Sequence, residues 1–182
     1  MKQEGEPLFD HLANKYGRAT ATNFVDPKKS RVMDMGRAVG IEFNNDRLVV
    51  DTKRAHALVE YIKQEKKDND QANELMLDLY KAYFEQGQDI NDVDLLVDMA
   101  KKFSLQEEEA RAAMGRKHLD DVVSKDRETK AAYGVNGVPF FVVNDDVTFS
   151  GAYPIHFIAK ELKRAAASSS PAAETHDNGD EN

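Results

Sequence analysis

The feature that most constrains the fold is an apolar run near the C-terminal end, Val138 to Val143, which ends in Phe-Phe-Val-Val. Turn-forming residues 144–146 and a second β-type run, residues 147–150, follow it, and this order predicts a β-hairpin. Because the first run does not alternate, it is typical of a strand covered on both faces. A hairpin alone is marginally stable in water, yet upstream only residues 41–43 and 48–50 resemble strands.

The sequence before the hairpin is mostly helical in pattern, with apolar residues three and four positions apart. We expect six or seven helices there and one more after Pro154. The first passes through Leu8 and Tyr16 and ends at Gly17. The fold class is therefore mostly α with a small β-hairpin. The helical core is predicted to include Leu58, Ile62, Leu75, Leu79, Leu96 and Phe103.

Local signals predict further details of the helices. Asp26, followed by a proline, is expected to begin a helix. Ser104 with Glu107 three residues later is expected to form a capping box. His56 is predicted to be a core or boundary histidine. The aromatic residues Tyr80, Tyr83 and Phe84 are predicted to belong to the helical core and not to a ligand site.

Composition excludes several classes of function. The chain has 25 Lys and Arg and 33 Asp and Glu, which give a net charge of −8, and it has no basic stripe. We therefore expect no nucleic-acid or membrane partner. The chain has no cysteine, and its five histidines lack metal-site spacing, so no metal and no cofactor is expected. No signal sequence is evident, which favours a cytoplasmic location. Residues 165–182 are predicted to form a disordered acidic tail.

The hairpin region resembles a known family. The sequence YGVNGVPFFVVN at residues 133–144, then Ser-Gly-Ala at 150–152 and a helix, is similar to the C-terminal half of the DsbA-like thioredoxin-domain family. Residues 51–58, 81–84 and 88–90 resemble the helical domain that its FrnE-like dithiol–disulfide isomerase subgroup inserts into the thioredoxin fold. The resemblance runs from Glu6 to Arg164. It implies a partial thioredoxin-like α/β fold with a helical insertion domain, residues 1–133, a C-terminal ββα part, residues 134–164, and the tail.

The same resemblance implies a function of the disulfide oxidoreductase or isomerase type. Its cis-proline loop would correspond to Gly137, Val138, Pro139 and Phe140, which would bind a peptide or thiol substrate. A cis proline there would leave main-chain groups at Val138 available to an extended peptide. Family members carry Cys-x-x-Cys ahead of the helical insertion, and this chain has none. We therefore assign no catalytic residue and expect a truncated or catalytically degenerate form; whether it is an enzyme stays open.

Two other functions remain open. In the first, the chain is a non-enzymatic module that binds a peptide or partner through the loop at Val138 and Pro139. In the second, it is a relative of glutathione-using transferases or isomerases, whose chemistry does not need cysteine. Self-association through the hairpin is a further expectation, because an unpaired apolar strand exposes its edge.

Overall fold

The computed structural model describes residues 5–168, apart from the Arg116 side chain. These residues form two compact units that divide between Asp126 and Arg127 and are called here the N-terminal and C-terminal units. The three-part domain division made from the sequence stays a prediction, although the structural boundary lies inside a helix and not after residue 133. Among the described residues, no helix is both long enough and apolar enough to cross a membrane.

The N-terminal unit begins with three helices that lie between two short strands in the sequence. These are β1 (Glu6–Pro7), α1 (Leu8–Tyr16), α2 (Arg18–Val25), α3 (Arg31–Arg37) and β2 (Leu48–Val49). β1 and β2 form an antiparallel pair in which Glu6 lies opposite Val49. Each strand of this pair has only two residues. The sequence indicated a strand near residues 48–50 but not its partner at residues 6–7.

Six further helices complete this unit and lead into the next. They are α4 (Lys53–Gln64), α5 (Asn69–Tyr80), a π-helix (Lys81–Glu85), α6 (Val93–Lys101), α7 (Glu107–Ala113) and α8 (Arg116–Tyr133), which continues into the C-terminal unit. The predicted core is confirmed, since the six residues named above are all buried. Leu58, Ile62, Leu75 and Leu96 are fully inaccessible, and a cluster of apolar side chains from α4 to α7 surrounds them.

Two predicted helix starts are wrong. The Asp26 side chain accepts a hydrogen bond from the Lys28 N–H and so forms a turn, while the helix begins five residues later behind Ser30, whose hydroxyl accepts from the Met33 N–H. Ser104 has a left-handed φ of 61° and follows the end of α6, so it does not cap α7. The residue before α7 is Gln106, without a side-chain cap.

Two predicted burial assignments also need correction. His56 is exposed because it lies on the outer face of α4, between the buried Ala55 and Ala57. Tyr80 is half exposed and Phe84 is partly exposed, since both lie at the edge of the core where α5 passes into the π-helix. Tyr83 packs against the core cluster as predicted.

The C-terminal unit contains the predicted hairpin. β3 (Phe140–Val143) and β4 (Val147–Ser150) pair antiparallel, with Phe140 opposite Ser150, and α9 (Ile155–Ser168) follows. The helix extends past the predicted start of the tail, because alanines 165–167 favour helix and Ala165 is buried. The rest of the predicted tail, residues 169–182, lies outside the described residues.

Candidate functional site

The four residues predicted to bind substrate lie between the end of α8 and the first residue of β3. Gly134, with φ of 62°, ends the helix, and the Val135 N–H donates to the Lys130 carbonyl. Gly137, Val138 and Pro139 then form an exposed bend, and the Val138–Pro139 peptide bond is cis. The structure thus places Gly137, Val138 and Pro139 in one exposed bend, and the partly exposed Phe140 at the start of β3.

Pro139 is anchored on one side only. Its carbonyl accepts a hydrogen bond from the Gly151 N–H at 2.9 Å and a longer one from the Ser150 hydroxyl at 3.4 Å. Both donors belong to β4 or directly follow it. The loop is therefore held against β4, while the Val138 side chain remains 88% exposed.

The register of the hairpin determines which main-chain groups of β3 remain available. Because the Gly151 N–H donates to Pro139, the alternation of an antiparallel pair places Phe141 and Val143 in hydrogen-bonded pairs with β4. Phe140 and Val142 then direct their N–H and C=O groups away from β4. Within residues 5–168 the hairpin sheet contains only these two strands, so the outer edge of β3 has no strand partner there.

Aromatic packing gives the two faces of the hairpin different roles. The Phe141 and Phe149 rings stack at 4.7 Å, and Phe149 meets Phe157 of α9 edge to face at 5.9 Å. Val147, on the same face, is buried. This face is the small core of the unit, which fixes the strand orientation and leaves Phe140 and Val142 on the opposite face.

The turn of the hairpin is fixed by polar contacts. Asn144 and Asp145 both have positive φ, and the Asn144 amide donates to the Ala165 carbonyl in the last turn of α9. The Tyr133 hydroxyl donates to the Asp145 carboxylate at 3.2 Å, which raises the pKa of Tyr133. These charged and polar groups lie at the turn, at the other end of β3 from the candidate loop.

No group of three His, Asp or Glu side chains in residues 5–168 is arranged to hold a metal ion. The candidate site consequently offers hydrogen-bonding main-chain groups and apolar side chains. Sequence reasoning found the loop but not the specific outward positions, Phe140 and Val142, because these depend on the strand register. The signal that could have identified them is the three-residue separation between the two β-type runs, which sets that register.

Comparisons with known proteins agree with this architecture. Residues 10–163 match the DSBA-like thioredoxin domain family. A probable DsbA oxidoreductase from Streptomyces coelicolor has a similar solved structure, with a TM-score of 0.74 and 26% sequence identity over 92% of this chain and 70% of that one. The chain matches none of the curated proteins.

Proposed function

The chain belongs to the DSBA-like thioredoxin domain family, of the oxidoreductase type, and on that premise we propose that it binds extended polypeptide along β3 and the loop of residues 137–140. The observation that carries the proposal is the outer edge of β3, which has no strand partner among residues 5–168 and lies directly beside the exposed Val138. An extended peptide could add to this edge as a further strand.

The main-chain groups of Phe140 and Val142 would supply the affinity. Each has one donor and one acceptor directed away from β4, so two residues offer four hydrogen-bonding groups to a peptide. Pro139 has no N–H, and its carbonyl accepts from the Gly151 N–H, so Pro139 itself adds no main-chain group to this edge.

The side chains around the edge favour an uncharged substrate segment. Residues 137–143 contain no charged side chain, and Val138 is almost fully exposed. A charged group placed against this surface would lose hydration without gaining a partner. We therefore expect selectivity for apolar side chains at alternate positions of the peptide, which would face Val138 and the Phe140 side of the sheet.

Thiol–disulfide exchange requires a thiolate, and these 182 residues contain no cysteine. Their proposed part is therefore substrate binding and not exchange. Membership of the FrnE-like disulfide isomerase subgroup is also proposed, on the helical segments that precede the hairpin. A cytoplasmic location is proposed as well, in line with the expectation from the sequence.

A matched pair of proline variants tests the binding edge. Val142→Pro removes an N–H that points outward from β3, whereas Thr148→Pro removes one that points outward from the opposite strand, because these two residues face each other in a non-hydrogen-bonded pair. The ligand is an end-blocked peptide of eight residues that alternates valine and threonine, and binding is measured by calorimetry. Circular dichroism of both variants verifies that the fold is retained.

We expect Val142→Pro to weaken binding roughly threefold to tenfold, as the loss of one main-chain hydrogen bond implies, and Thr148→Pro to change it less than twofold. Equal weakening by both variants, or no saturable binding by the unmodified chain, would contradict the proposal. Sedimentation without peptide tests self-association: dimers abolished by Val142→Pro would show that a second copy occupies the same edge.

A further inference from the structure

An apolar groove lies within the N-terminal unit. It encloses about 600 Å³ and is lined by side chains of α2, α3, the segment before β2, α5 and the π-helix. Its apolar lining includes Val32, Ile41, Phe43, Leu77, Tyr80 and Phe84. The volume is that of a small-molecule site, and Leu77, at 65% exposed, marks its open rim.

Close packing holds the groove in shape. The Asn44 N–H donates to the Phe84 carbonyl at 2.7 Å and so joins the segment before β2 to the π-helix. The Phe43 and Phe84 rings meet edge to face at 6.0 Å. Gly36 allows Phe43 to approach α3, because a Cβ at this position would lie 2.6 Å from the ring. The groove is therefore a preformed surface and not a gap between loosely placed side chains.

The lining also contains a buried cation. Arg47 is 7% exposed, and its guanidinium lies over the Tyr83 and Phe84 rings at 5.6 and 5.3 Å from their centroids. Its Nη1 donates to the Asn44 carbonyl at 2.6 Å and to the Asn45 amide oxygen at 3.4 Å. Its Nε is buried without a hydrogen-bond partner.

The charge of Arg47 is also unpaired within the described part of the chain. Neither Glu85, which lies in the same lining, nor any other described carboxylate forms an ion pair with it. A guanidinium removed from water is costly unless an anion compensates it, and ring and carbonyl contacts neutralise no charge. Because Nη1 is hydrogen-bonded and Nε is inaccessible, Nη2 is the guanidinium nitrogen left to meet an anion.

We propose that this groove binds an amphiphilic carboxylate, whose hydrocarbon part occupies the apolar lining and whose head pairs with Arg47. A neutral apolar ligand would leave the guanidinium uncompensated, and a cationic one would be repelled by it and by the Lys81 ammonium at the groove. Glu85, which also lines the groove, would repel an anionic head placed beside it. The inference is independent of peptide binding at β3.

Calorimetry with three ten-carbon probes tests the proposal on the full chain. Decanoate carries the proposed head group, decanol is its neutral counterpart and decylammonium carries the opposite charge, all below their aggregation concentrations. The variants are Arg47→Met, which keeps the length of the side chain without charge, and Leu77→Ser, at an exposed position where folding is not at risk. Leu162→Ser, at a half-exposed position of α9, is the matched control.

We expect decanoate to bind the unmodified chain at least tenfold more tightly than decanol, with no saturable binding of decylammonium. Arg47→Met should remove that preference, Leu77→Ser should weaken both ligands severalfold, and Leu162→Ser should change neither. Equal affinities for decanoate and decanol would overturn the proposal, because Arg47 would then serve only to hold residues 44–47 on the rings. Decanoate affinity unchanged by Leu77→Ser would overturn it too, since the ligand would lie elsewhere.

Discussion

Replacing Gly36 with alanine should destabilise the N-terminal unit, although alanine normally stabilises a helix. Gly36 lies inside α3 and is buried. An added Cβ would lie 2.6 Å from Cε2 of Phe43 and 2.9 Å from the carbonyl oxygen of Ile41. The Phe43 ring could rotate away from the added Cβ. The Ile41 oxygen belongs to the backbone, so no side-chain rotation can remove that contact.

Two opposing effects determine the size of the change. Alanine in place of glycine within a helix stabilises by about 1 kcal/mol. Overpacking of a closely packed site costs about 1–3 kcal/mol, and the presence of a backbone atom among the contacts places this site at the upper end. We therefore expect the free energy of unfolding to fall by about 1–2 kcal/mol, the difference between the two.

Urea unfolding followed by circular dichroism at 222 nm measures this change. With a slope of about 2 kcal/mol per molar urea, the midpoint should fall by roughly 0.5–1 M. Gly137→Ala is the control, because a Cβ there meets nothing within 4 Å and its φ is not in the left-handed region. A midpoint of Gly36→Ala equal to or above that of the unmodified chain would refute the packing argument.

Three further substitutions test other parts of the structure. Leu75→Ala, at a fully buried position, should lower the free energy of unfolding by about 2–5 kcal/mol in urea titrations, and a loss below 1 kcal/mol would mean that the helical core is loosely packed. Ser30→Ala removes the cap of α3 and should cost about 1 kcal/mol by the same assay, whereas an unchanged midpoint would show the 3.4 Å contact to be ineffective. The hydrogen bond from the Lys28 N–H and the nearby Lys29 ammonium lower the pKa of Asp26 below its ordinary 3.8, so its stabilisation is present above that pH and lost as pH falls through the lowered value. Asp26→Asn should therefore make thermal unfolding less dependent on pH below about 4, and parallel pH profiles of the two proteins would contradict this.

Helix periodicity predicted the core, because buried positions in α4, α5 and α6 repeat at helical spacing whatever the tertiary arrangement. The hairpin was also predictable, because a short turn sequence separates two β-type runs and these two runs pair with each other. Helix starts were less predictable, because Asp26 and Ser104 each have a polar side chain that suits either a cap or a turn. Their backbone conformation, which tertiary packing selects, decides between the two.

The candidate site divides in the same way. The loop at Gly137 to Phe140 is contiguous in sequence, so one motif located all four residues. The groove at Arg47 joins segments from residues 24 to 85, and nothing in the local sequence indicates that Phe43 and Phe84 meet. The sequence around Arg47 suggests an exposed surface charge, and only the structure shows that this side chain is buried.

The two strand pairs differ in how much chain must be ordered before they can form. In the hairpin, paired residues are 4 to 10 positions apart, and in β1–β2 they are 41 to 43 apart. Loop-closure entropy makes the longer connection more costly by about 1.5 kcal/mol. The hairpin can consequently form within microseconds around its own turn, whereas β1 and β2 meet only after α1, α2 and α3 have shortened the intervening chain. Their pairing therefore reports on late events in folding, and the hairpin on early ones.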